Sequence, residues 1–362
     1  MKNSPIAAKH LELNAKMADF GGWLMPIEYP KTGVIQEYNS VRTQVGVFDV
    51  SHLGKISVVG EGSLEFLNTA LTNDLNRIIP GQAQYTLICN DNGGVIDDLI
   101  VYQNSASNFF LVPNASNNAA VFEVLKLTAP SQVTVSNLHE DFAVFAVQGP
   151  KSVSMLNSLG IDTDIDYMQF LNAKIGDSEL IVCRTGYTGE LGFEIIPSWQ
   201  NAEKVWSQLM QAAEKFNGTA CGLGARDILR TEMGYPLHGH EISLSISPIE
   251  ASASWAVAFD KVDFTGKEVL KNQKQNGTKL KLKAILATDR AIPRKDMQVK
   301  SVSGEIVGLV TSGTFSPALK KGIGLALINS YISKGDTVLI DVRGKDSVFE
   351  IVSLPFVPSK VR

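Results

Sequence analysis

Cysteine is scarce in this sequence. Cys89, Cys183 and Cys221 are odd in number and far apart, with no CxxC pair among them. That excludes a disulfide framework and a cysteine zinc site, and points to small buried residues in a reducing compartment. A basic excess is missing too: 33 Lys and Arg stand against 37 Asp and Glu, a formal net charge of -4. A dedicated nucleic-acid surface needs the opposite balance, although one local basic pocket for an anionic ligand stays compatible with it. No apolar run approaches the roughly 20 residues of a membrane span. Met1 to Ile6 contain no run of signal-peptide type, and Glu12 and Asp19 arrive too early for an Arg-rich transit segment. The expectation is a cytoplasmic protein that engages neither membrane nor nucleic acid. His238-Gly239-His240 has no third ligand nearby and no HExxH partner, and no GxSxG elbow occurs, so neither a metal nor a serine triad is expected.

What is present is an ordinary globular balance, 44% hydrophobic and 19% charged, in a chain of 362 residues. That length predicts two or three domains. Helical spacing of Ala8, Leu11, Ala15 and Ala18 predicts a helix over Ala7 to Ala18, stopped by Gly21-Gly22. Strands are predicted at Ile56–Val59, Gln84–Cys89, Asp98–Tyr102, Phe109–Val112, Val133–Val135 and Ala143–Val147. Helices are predicted at Ser63–Leu71 and Ala115–Leu127. This mixed order suggests an α+β unit. The clearest helix is Asn201 to Phe216, with Val205, Trp206, Leu209 and Ala213 on one face. After about Leu280 short strands (Lys283–Ala287, Glu305–Val310, Thr337–Val342, Phe349–Val352) alternate with turns, the pattern of a small all-β domain, and polar Asn272–Lys279 reads as a linker to it.

Three segments could carry chemistry. In Gly93 to Tyr102 a tight turn leads into a strand that begins with two acids, Asp97 and Asp98, although Asp is disfavoured in strands. Alternation puts Asp98, Ile100 and Tyr102 on one face and Asp97, Leu99 and Val101 on the other. One carboxylate is then forced toward apolar surroundings, where it can stabilise a cationic centre or act as a base. Local turn preferences favour the plainer reading of a turn-capping pair. In Arg184 to Glu194, glycines at three-residue spacing let a ligand approach the backbone, Tyr187 offers a stacking face, and Glu194 a two-pronged acceptor. A glycine-rich hairpin with a solvated Glu fits as well. Gly222-Leu223-Gly224-Ala225-Arg226 resembles a dinucleotide fingerprint only superficially, since Asp227 occupies the third glycine position. It reads as a helix start with Arg226 on the first turn, placed to clamp an anion or to pair with a surface acid.

Together and in this order these segments resemble the aminomethyltransferase, or T-protein, family of the glycine cleavage system. The resemblance runs nearly end to end. It adds Ala15 to Pro26, Val45 to His52 and Val310 to Pro317 to the three segments above. It implies an α+β, three-domain cloverleaf-like molecule with mostly antiparallel sheets. A folate-binding domain would comprise 1–52 and 140–270, an inserted ferredoxin-like domain 53–139 would carry Asp98, and a jelly-roll-like β-barrel would span 280–362. It further implies transfer of a methylene carbon from the S-aminomethyl-dihydrolipoyl group of the lipoylated H protein to tetrahydrofolate, releasing ammonia, in one-carbon metabolism and glycine catabolism. By motif position Asp98 is the implied catalytic carboxylate. Glu194, Arg226, Tyr187, Tyr85, Asn114, Tyr235 and Arg362 are the implied folate-binding residues. The sequence departs from the pattern at Leu53, where Met is usual, at Pro113, and at His238, which replaces a frequent Tyr. The alternatives are a folate-dependent demethylase of another N-methyl or S-methyl donor, and a non-catalytic folate-binding module. The latter's relatives carry a Cys motif where Arg184 to Tyr187 stands.

Overall fold

The computed structural model describes residues 1–362. Its first sheet has six strands in the order Phe170–Ile175, Ser178–Cys183, Gly192–Pro197, Phe145–Gln148, Gly46–Asp49 and Thr219–Cys221. All neighbours pair antiparallel except the last two, which run parallel. The helix Ala202–Lys215 lays the predicted stripe on one face of this sheet. Val205, Trp206, Leu209 and Ala213 join Val47, Phe145, Val147, Phe193 and Ile195 in one buried cluster. Each Val, Leu, Ile or Phe side chain among them contributes about 1.5–3 kcal/mol by leaving water. The helices Gly33–Thr43 and Leu223–Met233 cover the opposite face through Tyr38, Val41, Ala225 and Leu229.

The second sheet is antiparallel, in the order Gln82–Cys89, Val95–Ser105, Asn108–Pro113, Ile56–Gly60 and Val133–Asn137. Leu99, Val101, Phe109 and Leu111 point to the helices Ser63–Ala70 and Asn118–Thr128. Tyr102, Phe110 and Val112 point the other way, into the cluster that also holds Phe48, Ala146 and Leu229 of the first unit. The two sheets therefore share a core along one face of the strand Val95–Ser105. Residues 280–352 form a closed six-stranded barrel filled by Ile285, Val310, Ile328, Ile340 and Phe349. The chain then returns: Phe356 N–H donates to Glu232 O at 2.8 Å and Lys360 N–H to Gly189 O at 2.7 Å, so the last residues lie across the first unit.

Two expectations needed correction, and two strands went unpredicted. The first helix ends at Glu12, because Asn14 turns left-handed at φ 53° and Lys16–Phe20 pairs with Trp23–Glu28 around the positive-φ pair Gly21-Gly22. Hairpin pairing there overrides alanine propensity. The expected linker is helical to Asn276, since Leu270 anchors Lys267–Asn276 in a cluster with Leu87 and Val95. The strands flanking the glycine-rich segment were not predicted. Gly192–Pro197 is buried at every position, so it shows no alternation to detect.

Candidate functional site

Strand Val95–Ser105 is an interior strand, second in its sheet, and its side chains alternate as the sequence requires. Asp97 turns to the helical layer with Leu99 and Val101 and is fully buried. Its oxygens accept Asn114 N–H at 2.8 Å, Asn114 Nδ2 at 2.9 Å and Asn117 Nδ2 at 2.6 Å. This carboxylate is structural. Asp98 faces the other way and is half-buried, accepting from the Tyr85 hydroxyl at 3.0 Å and from Asn114 Nδ2 at 2.8 Å. Asn114 thus orients both acids. Burial, and then the neighbouring charge of Asp98, push the Asp97 carboxyl up to about 7. Burial also raises Asp98, opposed by the bonds from Tyr85 and Asn114.

A loop from the first unit closes over this strand's start. Val95 N–H donates to Ser243 O at 2.7 Å and His238 Nε2 lies 2.9 Å from Val95 O. Gly94 permits the approach, because a Cβ there would stand 1.8 Å from Leu244 O. His240 turns away to Thr311 O at 3.0 Å, so the two histidines of the His-Gly-His step do not converge. No group of three or more His, Cys, Asp or Glu side chains is placed to hold a metal ion.

Four residues along the same face from Asp98 is Tyr102, about 13 Å away at 3.2–3.4 Å per residue. Its hydroxyl is 3.4 Å from Thr185 Oγ1, which donates to Glu194 Oε2 at 2.5 Å. The other Glu194 oxygen takes no bond from the protein. Arg226, on the first turn of Leu223–Met233, holds its guanidinium 4.7 Å from the Tyr187 ring. It makes no ion pair, and its buried Nη1 has no partner. Burial lowers its pKa, against the charge of Glu194. The Tyr187 hydroxyl donates to Pro236 O, and its ring lies 5.6 Å from that of Tyr235. Burial raises the Tyr187 pKa, opposed by the Arg230 and Arg226 charges and reinforced by that of Asp98. Arg362 packs 5.6 Å from the Tyr167 ring, whose hydroxyl burial holds above its ordinary pKa.

Every candidate residue therefore meets in one region. Asp98, Tyr85 and Asn114 form one end and Glu194, Arg226, Tyr187 and Tyr235 the other, with Arg362 at the rim. Thr185 and Asn117 were not singled out from the sequence: each matters through a hydrogen bond to an acid, Glu194 nine residues on and Asp97 twenty residues back, that only the strand pairing brings into reach. A groove of about 810 Å³ lined by Phe142, Lys174, Glu179 and Ile181 shares no residue with this region.

The arrangement makes Tyr85 a tuner of Asp98. Substituting Tyr85→Phe removes a donor that favours the charged carboxylate, so the Asp98 pKa rises further. The acid limb of the pH–rate profile should move to higher pH, measurable from activity across pH 5 to 9; an unmoved limb would show that Asp98 ionisation does not govern it.

The chain is similar to known proteins over nearly its whole length. Residues 6–261 match the family model described as the GCVT N-terminal domain, and residues 281–358 that of the glycine cleavage T-protein C-terminal barrel domain. An aminomethyltransferase of Parafrankia sp. (strain EAN1pec) is 51% identical, covering 100% of this chain and 99% of the relative. One of Mycolicibacterium paratuberculosis is 49% identical, covering 99% and 98%. The crystal structure of the glycine cleavage system aminomethyltransferase T from Bartonella henselae superposes with a TM-score of 0.93 at 32% identity, covering 99% of each chain.

Proposed function

Because the chain belongs to the glycine cleavage T-protein family and is an aminomethyltransferase, we propose that tetrahydrofolate is its acceptor and an S-aminomethyl-dihydrolipoyl arm of the H protein its donor. In this reaction the donor's carbon–sulfur and carbon–nitrogen bonds break. Two carbon–nitrogen bonds to the acceptor form, and the two acceptor N–H protons leave with the thiol and ammonia. No oxidant is required. The acceptor supplies the two nitrogen nucleophiles when bound.

The donor set fits such an acceptor. Glu194 has one oxygen held by Thr185 and one free of the protein, so it can receive the amino-pyrimidine edge. Arg226 has an unpartnered buried nitrogen and Tyr187 and Tyr235 offer ring faces. Arg362 is suited to the carboxylate-bearing tail. Asp98 places a negative charge where the transferred carbon gains cationic character as ammonia or thiol departs. The same carboxylate can take a proton from an acceptor nitrogen. Tyr85 and Asn114 hold it in one orientation, and the fixed spacing along the strand keeps both substrates in register. The single observation that carries this reading is that one strand face presents Asp98 at one end and, through Tyr102 and Thr185, Glu194 at the other. The three cysteines, all free and buried, suit a reducing, cytoplasmic setting. In domain terms, 53–139 is the insertion that delivers Asp98 to a folate-binding unit made of 1–52 and 140–270, with 280–362 as the barrel.

The direct test combines purified chain, aminomethylated H protein and tetrahydrofolate and follows 5,10-methylenetetrahydrofolate and ammonia in equal amounts. Turnover of an N-methyl or S-methyl donor in place of the aminomethyl carrier would overturn the assignment of donor. Glu194→Ala should weaken tetrahydrofolate binding by about 10- to 100-fold, the range of one charge-assisted hydrogen bond, as read by calorimetry. An unchanged Kd would remove Glu194 from the site.

A further inference from the structure

Of the four tryptophans, Trp23 and Trp206 are buried, Trp199 is half-buried, and Trp255 is 67% exposed. An exposed tryptophan is usually mobile surface, but this one is held. It sits on the short 3-10 turn Ser254–Ala256, whose neighbours Ala253 and Ala256 are buried with Leu87, Cys89 and Val95. Thr72 clamps the turn on both sides: its hydroxyl donates to Ala256 O at 2.8 Å, and Ala258 N–H donates to Thr72 O at 2.9 Å. The indole stacks on Tyr85, ring centres 5.1 Å apart and planes 27° apart. Tyr85 in turn donates to Asp98. One aromatic face is thus covered by the residue that holds the carboxylate, and the other is bare.

Two substrates must meet at Asp98, and the side toward Tyr187, Arg226 and Glu194 suits the pterin. The second approach therefore comes from the Tyr85 side, where Trp255 stands. We propose that the bare face of Trp255 is the seat of the donor's sulfur-bearing aliphatic arm, a binding ledge beside the tyrosine that holds Asp98. An aliphatic chain gains from covering an indole that would otherwise face water, and sulfur makes favourable contact with an aromatic ring. The ledge carries no charge, so it discriminates by shape and apolarity and leaves the polar contacts to the acceptor end. This proposal rests on the assignment of a lipoyl donor above.

Two measurements on the full-length protein test it. Trp255→Ala should raise the KM for aminomethylated H protein about 10-fold, the scale of a lost apolar and aromatic contact. kcat and the tetrahydrofolate Kd should change by less than about three-fold, and Trp255→Phe should recover most of the loss. A KM that does not move, or an equal loss in tetrahydrofolate affinity, overturns the proposal. Independently of turnover, free lipoamide should saturably quench the exposed tryptophan emission of the wild-type chain and leave that of Trp255→Phe unchanged. Quenching by tetrahydrofolate and not by lipoamide would assign the ledge to the acceptor instead. Failure of the wild-type chain to use the H protein would overturn the donor assignment, whereas absent lipoamide quenching overturns the ledge alone.

Discussion

Replacing Asp98 by Asn lowers the rate of methylene transfer by about 10²- to 10⁴-fold, the range expected when a positioned charge or proton acceptor is removed. The substitution keeps the shape of the side chain. Asn114 can still donate to the remaining carbonyl oxygen, and the Tyr85 hydroxyl can rotate to a new partner. Strand pairing is untouched, because Asp98 bonds through its side chain to Tyr85 and Asn114 and Asp97 holds the buried asparagine network. Tetrahydrofolate affinity should therefore stay close to that of the wild type, since Glu194 and Arg226 stand at the far end. The measurement is kcat beside a calorimetric Kd. A variant with full activity would show that the carboxylate does not carry the reaction. Loss of folate binding in step with activity would instead assign Asp98 to the binding of the acceptor.

Arg230→Met should be the most destabilising of the single changes considered, by about 3–5 kcal/mol, because it strands a buried carboxylate. Arg230 and Glu241 are almost wholly buried and 2.9 Å apart. Glu241 also accepts from Thr311 and Ser312 of the barrel, each at 2.6 Å, and from Leu237 N–H at 3.0 Å. Arg230 donates to Ser312 as well, at 2.8 Å. The pair therefore joins the helix Leu223–Met233, the loop bearing His238, and the barrel strand Ile306–Ser316. A lower urea midpoint is the expected readout. The double change Arg230→Met with Glu241→Gln should cost less than the sum of the two singles, since groups in one network couple. Additive costs would show that the two side chains act independently.

Much of the frame was legible from local pattern. The stripe of Ala202–Lys215, the strands of the second sheet, the β-rich C-terminal part and the helix start before Arg226 all follow from the spacing of apolar and turn residues. What escaped reading did so for identifiable reasons. Gly192–Pro197, which carries Glu194, is buried on both faces and gives no period of two. Lys16–Phe20 is rich in helix-compatible residues and becomes a strand only by pairing with Trp23–Glu28. Trp255 lies on a short turn, and its meaning depends on a ring contributed from 170 positions earlier in the chain, Tyr85.

The two acids show where the division falls. The sequence by itself determined that Asp97 and Asp98 leave the strand on opposite faces, because the side-chain period of a strand is two. It also determined, by the order of its motifs, the family, and with it the proposal that the second acid is the reactive one. Only the tertiary structure decided which partners each face meets. The helices Ser63–Ala70 and Asn118–Thr128 cover the side of Asp97, and Asn114 and Asn117 satisfy it there. Tyr85, Tyr187 and the His238 loop, drawn from three separate stretches of chain, gather on the side of Asp98. Periodicity is a property of neighbours in sequence, whereas burial and charge environment belong to whatever the fold packs against them.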